Sequence, residues 1–399
     1  MLYNSPHQFE PLLPQKDLGH LVEETQLVFE RSHRLQGSLH PITVGVLRNL
    51  VRGMNSYYSN RIEGQSTHPL NIERALKEDF SAKPDVALRQ RLALAHIEAE
   101  RELEALAQQS GWRDVDALHS NVLISAHRAL YGRLSREDRL SEEGVLIVPG
   151  EVRTKDVSVG EHDAPSHEAL AAFLERMDGV YPRLRGVDAT LYGIAAAHHR
   201  FAWVHPFIDG NGRACRLQTH AALFGLSGGL WSVNRGLARD RDGYYARLGN
   251  ADLPRQGDLD GRGNLSERGL REWCEYFISI CKDQVTFMGH MLDLEGLRER
   301  VKALVSVRER SSEFQHYSIE LAEPLYHVLR LGPIQKRDFV RMTGLSTRTG
   351  QRALSQLLKD GLLVSDGSKQ VVRIGLPLDV LSILFPNLYP EAGTSNLDV

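Results

Sequence analysis

The chain has 399 residues, a length that points to two or three domains rather than one. Hydrophobic residues at 42% and charged residues at 25% are the proportions of a folded globular protein and exclude a disordered or collagen-like chain. Forty-eight Lys and Arg against 51 Asp and Glu leave a net charge of −3, which excludes a polyanion binder or polybasic membrane binder along the whole length.

Apolar residues recur at spacings of three and four over residues 18–35, 42–59, 71–80, 86–108, 115–130 and 167–181, which predicts a mainly α chain of amphipathic helices. Gly- or Pro-bearing breaks at 37–41, 110–113, 182–186 and 226–229 separate helical segments. No apolar run approaches the about 20 residues of a membrane-spanning helix, and residues 1–19 carry Pro, Gln and charges where a signal peptide needs an apolar stretch, so a cytoplasmic location is expected. At the end of the second helix, Ser59 and Glu63 are four apart and share a face, and Gly64 can stop the helix. Residues 144–160 carry two β-branched apolar runs around Pro149-Gly150, the pattern of a β-hairpin. Cys215, Cys274 and Cys281 lack the spacing of a zinc or redox motif and are expected to be small buried apolar residues.

Residues 190–204 read as a buried helix, and residues 215–224 begin another apolar helical run. Between them lies VHPFIDGNGRACRLQ, residues 204–218, a tight loop running into a helix. Gly210 and Gly212 give the backbone freedom just where unpaired N–H groups and the helix dipole favour an anion, so phosphate is the natural guest. His205 is largely unprotonated at neutral pH and can accept a hydroxyl proton, while Asp209 offers hard oxygen ligands suited to Mg²⁺. Arg213 and Arg216, three apart on the helix, both carry donor forks for phosphate oxygens. Phe207 has no reactive group and reads as the anchor of the loop.

Eight specified positions in the order H-x-F-x-D-G-N-G-R-x-x-R, from His205 to Arg216, resemble the signature of the Fic family at every one of them. The resemblance implies a Fic-type helical bundle that transfers a nucleotide monophosphate, most often AMP from ATP, to a Tyr, Thr or Ser hydroxyl of a protein. His205 is then the general base, Asp209 the Mg²⁺ ligand, Gly210, Asn211 and Gly212 the phosphate cradle, and Arg213 and Arg216 the grip on the β- and γ-phosphates. The 144–160 hairpin corresponds to the flap that holds the target segment by adding a strand. Residues 242–248, DGYYARL, resemble the helix near the nucleotide base, with Tyr244 or Tyr245 against adenine or packed as core aromatics. Ser59, Glu63 and Gly64 match the inhibitory pattern of a family branch braked within one chain, with Glu63 expected to reach Arg216 and so occupy the γ-phosphate site.

Beyond residue 298 the pattern changes. Helices at 324–331, 336–343 and 347–360 and a strand pair at 362–365 and 370–374, turned by Asp366-Gly367, outline a winged helix-turn-helix. Nine basic and three acidic residues give residues 324–375 a charge of +6, leaving −9 elsewhere, so DNA or a protein is the expected partner there. Three domains are expected, at 1–110, 111–297 and 298–399. The leading expectation is an autoinhibited adenylyltransferase using ATP and Mg²⁺, acting on a target protein or on itself, with a homodimer as a further expectation. The alternatives are a nucleotide-sensing DNA-binding regulator and a de-AMPylase working from the same site.

Overall fold

Proline placement and capping set the start of the first long helices. Our computed structural model describes residues 3–141, 144–160, 162–365 and 370–389. After α1 (Gly19–Gln36) come α2 (Pro41–Ile62), α3 (Pro69–Leu76) and α4 (Pro84–Ala107), each opening on a proline whose missing N–H is one that a first turn leaves unpaired anyway. His40 and His68 cap α2 and α3 by accepting from the N–H of Ile42 and Leu70. Helix α3 stops at Leu76, short of the expected 80, because Glu78 adopts a positive φ of 61°. The helix expected over 115–130 is divided: a 3₁₀ turn covers Asp114–Leu118, and α5 (Ser120–Tyr131) starts after His119, whose ring caps it. The segment expected at 167–181 is likewise a 3₁₀ turn followed by a shorter helix, α6 (Leu170–Asp178).

The expected hairpin over 144–160 forms elsewhere. Pro149-Gly150 is a turn, but its flanks do not pair with each other. Leu146 instead bridges back to Leu140, and β1 (Ser158–Val159) pairs antiparallel with β2 (His162–Asp163), shifting the hairpin toward residues 157–164. The reason is competition for the backbone of residues 150–156. Gly150 N–H donates to His127 Nδ1, and Arg153 N–H donates to the Pro206 carbonyl, so this stretch is tied to the helical body instead of to a partner strand.

Helices α7 (Val187–Val204) and α8 (Asn211–Ser227) form the centre of the helical body. Helix α8 is buried on nearly every face and packs against α1, α2, α4, α5 and α7. Then follow α9 (Asn234–Arg239), α10 (Arg241–Asp252), α11 (Glu267–Met291) and α12 (Leu294–Arg310). Helix α10 runs four residues into the Gly- and Asp-rich stretch 249–263. Trp273 of α11 is 0% exposed and donates its indole N–H to the Ala195 carbonyl of α7 at 2.6 Å, so an apolar ring and its single donor are both satisfied in the core. The three cysteines are buried and unpaired.

The C-terminal part runs α13 (Ala322–Leu331), β3 (Ile334–Gln335), α14 (Lys336–Met342), α15 (Thr347–Lys359), β4 (Leu363–Ser365) and β5 (Val371–Ile374). Its sheet is antiparallel in the order β3-β5-β4, so a short strand that the pattern of residues 332–335 did not reveal joins the expected pair. The Asp366-Gly367 turn lies outside the described residues. After α16 (Leu378–Leu384) the chain returns to α2: Tyr58 donates its hydroxyl to the Leu388 carbonyl at 3.0 Å, and the Tyr389 ring meets Tyr57 edge-on at 5.8 Å. No described helix is long and apolar enough to cross a membrane.

Replacing Trp273 by Ala removes the largest side chain shared by α7 and α11 and is expected to cost about 3–5 kcal/mol, read as a lower urea midpoint for the full chain.

Candidate active site

The loop between α7 and α8 is shaped by its own backbone. His205 caps α7 in the left-handed region at φ 49°, a conformation uncommon for a side chain other than Gly. Its Nδ1–H donates to the Ala202 carbonyl at 3.3 Å, which leaves Nε2 as the basic nitrogen, and burial pushes its pKa down to about 4. Gly210 caps α8 at φ +78°, where a Cβ would come within 2.4 Å of the Tyr131 ring. Asn211 spends both ends of its amide on Phe207, accepting from its N–H at 2.9 Å and donating to its carbonyl at 2.8 Å. Its side chain therefore braces the loop, and any cradle for phosphate is made by backbone. Phe207 is fully buried and stacks on His127 at 3.9 Å.

Two arginines expected to face phosphate already hold protein partners. Arg216 is 1% exposed; its Nε donates to Ser59 Oγ at 3.0 Å, and its Nη2 donates to the Ser59 carbonyl at 3.1 Å and to Glu63 Oε1 at 2.5 Å. Burial alone would raise the Glu63 carboxyl, but the Arg216 and Arg213 guanidiniums outweigh it and hold the pKa below its usual value. Gly212 makes the space for this pair, since a Cβ there would lie 2.5 Å from Glu63 Oε1. Arg213 donates to Gln65 Oε1 at 2.9 Å and to the Tyr131 hydroxyl at 2.7 Å. Glu63 is the last residue capping α2, and Gly64 at φ +75° turns the chain so that Glu63 and Gln65 both face the start of α8.

A cavity of about 640 Å³ opens beside this pair, within the range of small-ligand sites. His205, Asn211, Gly212, Arg216 and Glu63 line one side, Tyr244 and Tyr245 of α10 another, and Val159, His162 and Asp163 of the β1–β2 hairpin a third. Tyr244 is buried with its hydroxyl 3.0 Å from His198 Nε2, whereas Tyr245 is 43% exposed. Phe207, Asp209, Gly210 and Arg213 do not line the cavity, and Ser59 reaches it only through Arg216. Asp209 accepts the Gly210 N–H and sits 3.5 Å from Arg213, both through Oδ1. Its partly exposed carboxylate thus keeps Oδ2 for a cation, which fits Mg²⁺, an ion usually held by one or two carboxylates with its waters retained.

Several supporting residues gave no signal in the sequence. His127 donates Nε2–H to the Asp209 carbonyl at 3.1 Å and accepts the Gly150 N–H at 2.9 Å, joining the loop to the 149–150 turn. Arg153, also buried, donates Nε–H to the His205 carbonyl and Nη1–H to the Lys155 carbonyl, both at 2.8 Å, and Nη2–H to the Pro165 carbonyl at 2.5 Å. Tyr131 and Gln65 hold Arg213. His127 and Tyr131 come from α5, Gln65 from the turn after α2 and Arg153 from the segment before β1, and only folding brings them to residues 205–216.

The loop that carries His205 and Arg216 lies within a segment similar to a known family. Residues 117–223 match the Fic/DOC family model. The chain is 28% identical over 202 residues to the protein adenylyltransferase Fic of Nematostella vectensis, covering 49% of this chain and 42% of that one. It is 35% identical over 80 residues to the Drosophila melanogaster protein of the same name, covering 19% and 16%. It thus spans less than half the length of these curated relatives. Among solved structures, a Fic family protein from Desulfovibrio desulfuricans G20 aligns over 92% of this chain and 98% of its own at 17% identity and a TM-score of 0.52. A Fic domain containing signaling protein from Bacteroides thetaiotaomicron aligns over 67% and 96% at 17% identity and a TM-score of 0.51. At that identity these neighbours establish likeness of fold, one that in the first case reaches beyond the Fic/DOC segment into the N- and C-terminal helices.

Burial of His205 has a measurable sign. Its ring proton resonances are expected to titrate near about 4 instead of 6.5, and a midpoint at or above 6.5 contradicts the desolvated base. Because the folded value lies below the unfolded one, its share of stability is complete above pH 6.5 and is lost as pH falls toward about 4.

Proposed function

We propose that this protein transfers AMP from ATP to a Tyr, Thr or Ser hydroxyl of a protein and is braked by its own Glu63. The observation that carries the reading is the placement of a neutral His205 and a Glu63-occupied Arg216 on one wall of the same cavity. His205 Nε2 takes the proton of the attacking hydroxyl as the oxygen adds in line to the α-phosphorus and pyrophosphate leaves. The first N–H groups of α8 face the developing charge on the phosphate oxygens. Asp209 is the residue that would hold Mg²⁺, which when bound neutralises phosphate charge. Tyr245, and Tyr244 behind it, provide the wall for the base. An extended target segment pairs along the β1–β2 hairpin, whose Val159 is exposed at the mouth of the cavity.

The brake works by occupancy. With Glu63 on Arg216, a γ-phosphate meets a carboxylate where it needs a guanidinium, so ATP is bound weakly or out of line. Self-modification is the simplest assay, since it needs no named target.

A second reading concerns the C-terminal part, which we assign as a winged helix-turn-helix on its order of helices and strands. Helix α15 exposes Arg348, Gln351 and Arg352, and neither arginine takes part in an ion pair among the described residues, which favours duplex DNA as its ligand.

With labelled ATP and Mg²⁺, Glu63→Gly is expected to raise AMP transfer by about 5- to 150-fold over wild type. His205→Ala placed in that background should lower it by about 10²–10⁴. Equal transfer by wild type and Glu63→Gly sinks the brake, and no labelling by Glu63→Gly sinks the transferase in favour of a nucleotide-sensing regulator. For DNA, Arg348→Ala and Arg352→Ala should each reduce the salt dependence of duplex binding by about one unit of slope, measured by fluorescence anisotropy across a salt series.

A further inference from the structure

One turn deeper than the brake, α2, α4 and α8 enclose a cluster of ionisable side chains that the reaction does not use. His96, Glu100 and Glu104 recur every four residues on α4 and so form a single stripe, and His220 of α8 points at it. His96 and Glu100 are 0% exposed, and Glu104 and His220 are nearly as buried. His220 Nε2 lies 2.9 Å from Glu104 Oε1 and 3.4 Å from Glu100 Oε1, and the three ligand atoms fall within 4.8 Å of one another. Two ligands about 2.0–2.2 Å from a common ion, at about 90–110° to each other, stand about 3.0–3.5 Å apart, which is the spacing found here.

The leftover atoms also point to a missing partner. Neither ring nitrogen of His96 has a hydrogen-bond partner, and Glu100 Oε2, 3.9 Å from His96 Nδ1, has none either. Buried polar atoms left in this state are costly unless a water or an ion completes them. Both carboxylates have outer contacts, whereas His220 Nδ1 has no hydrogen-bond partner among the described residues. Asn55 Nδ2–H donates to Glu100 Oε1 at 2.8 Å, and Arg52 donates Nε–H and Nη2–H to Glu104 Oε2 at 2.9 and 2.5 Å. This leaves Glu104 Oε1 directed at His220.

We propose that Glu100, Glu104 and His220, with His96 beside them, form a buried site for a first-row divalent transition metal of the zinc type. Imidazole with carboxylate donors suits such an ion better than Mg²⁺ or Ca²⁺, which take oxygen ligands. On binding, the Nε2 proton of His220 leaves to solvent, the freed lone pair takes the ion, and the two carboxylates offset its two charges while Glu104 keeps its ion pair with Arg52. The site joins α4 to α8, and its Asn55 contact reaches α2. Asn55 precedes Ser59 by one turn and His220 follows Arg216 by one turn, so the ion holds together the helices that carry the brake.

The test uses the full chain expressed in zinc-supplemented medium and desalted, with metal content measured by plasma mass spectrometry and Co²⁺ substituted as the optical probe. About one equivalent of zinc, a visible Co²⁺ absorption band and a zinc-dependent rise in unfolding temperature that Mg²⁺ does not reproduce are expected. Glu100→Gln and His220→Gln, checked for folding by circular dichroism, should lose at least about 10- to 100-fold in zinc affinity, whereas Asp209→Asn should keep it. Wild-type protein that holds less than about a tenth of an equivalent, even after refolding in zinc, overturns the proposal in favour of a water-filled polar cluster. Folded Glu100→Gln and His220→Gln variants that bind zinc as wild type does overturn it as well.

Discussion

A guanidinium at 1% exposure cannot stand unpaired, and the geometry of this end of the helical body follows from how Arg216 is satisfied. Its partners, Ser59 and Glu63, both come from α2, so the helix that precedes the Fic/DOC segment supplies the counter-charge inside it. Gly212 lacks a side chain where the pair needs room, and Gly64 turns the chain just after the carboxylate. The pairing is asymmetric in exposure: Arg216 is sealed, while the Glu63 side chain is 29% exposed on the cavity wall.

The second constraint is positional. His205 is held from both sides of the loop, by Arg153 on its carbonyl and by the left-handed turn that ends α7. His127 carries the same loop to the 149–150 turn, so the segment leading to the β1–β2 hairpin and the His205 loop are one hydrogen-bonded unit. The C-terminal residues bear on the other wall. Tyr57 and Tyr58, which touch Tyr389 and Leu388, immediately precede Ser59 on α2, so the C-terminal part and the Arg216 pair rest on the same helical turn.

Much of the helical body was legible because its signal is local. Apolar spacing of three to four and the Gly-Asn-Gly loop mark the helices and the turn at 205–216 without reference to neighbours. The failures have a common cause. The 144–160 hairpin was misplaced because a β-branched run around Pro-Gly is also compatible with an extended segment, and distant groups, His127 and the Pro206 carbonyl, captured its backbone first. The division of the 115–130 helix at His119 and the early end of α3 depend on a capping ring and a positive φ, which periodicity does not register. Asn211 is the instructive residue within the site, because its amide is consumed by Phe207.

The sequence by itself determined the mainly helical class, the order of the segments and which functional groups residues 205–216 carry, since these depend on residues close together in the chain. It also showed that the overall charge of −3 conceals a basic C-terminal segment. Only the tertiary structure decided which charges meet: that Arg216 is matched by a carboxylate 153 positions away, that Arg153 braces His205, and that His220 faces Glu100 and Glu104 across two helices. The physical reason is burial. Outside the fold these groups are solvated and independent, and inside it each must find a partner among whatever the packing of the helices brings within reach.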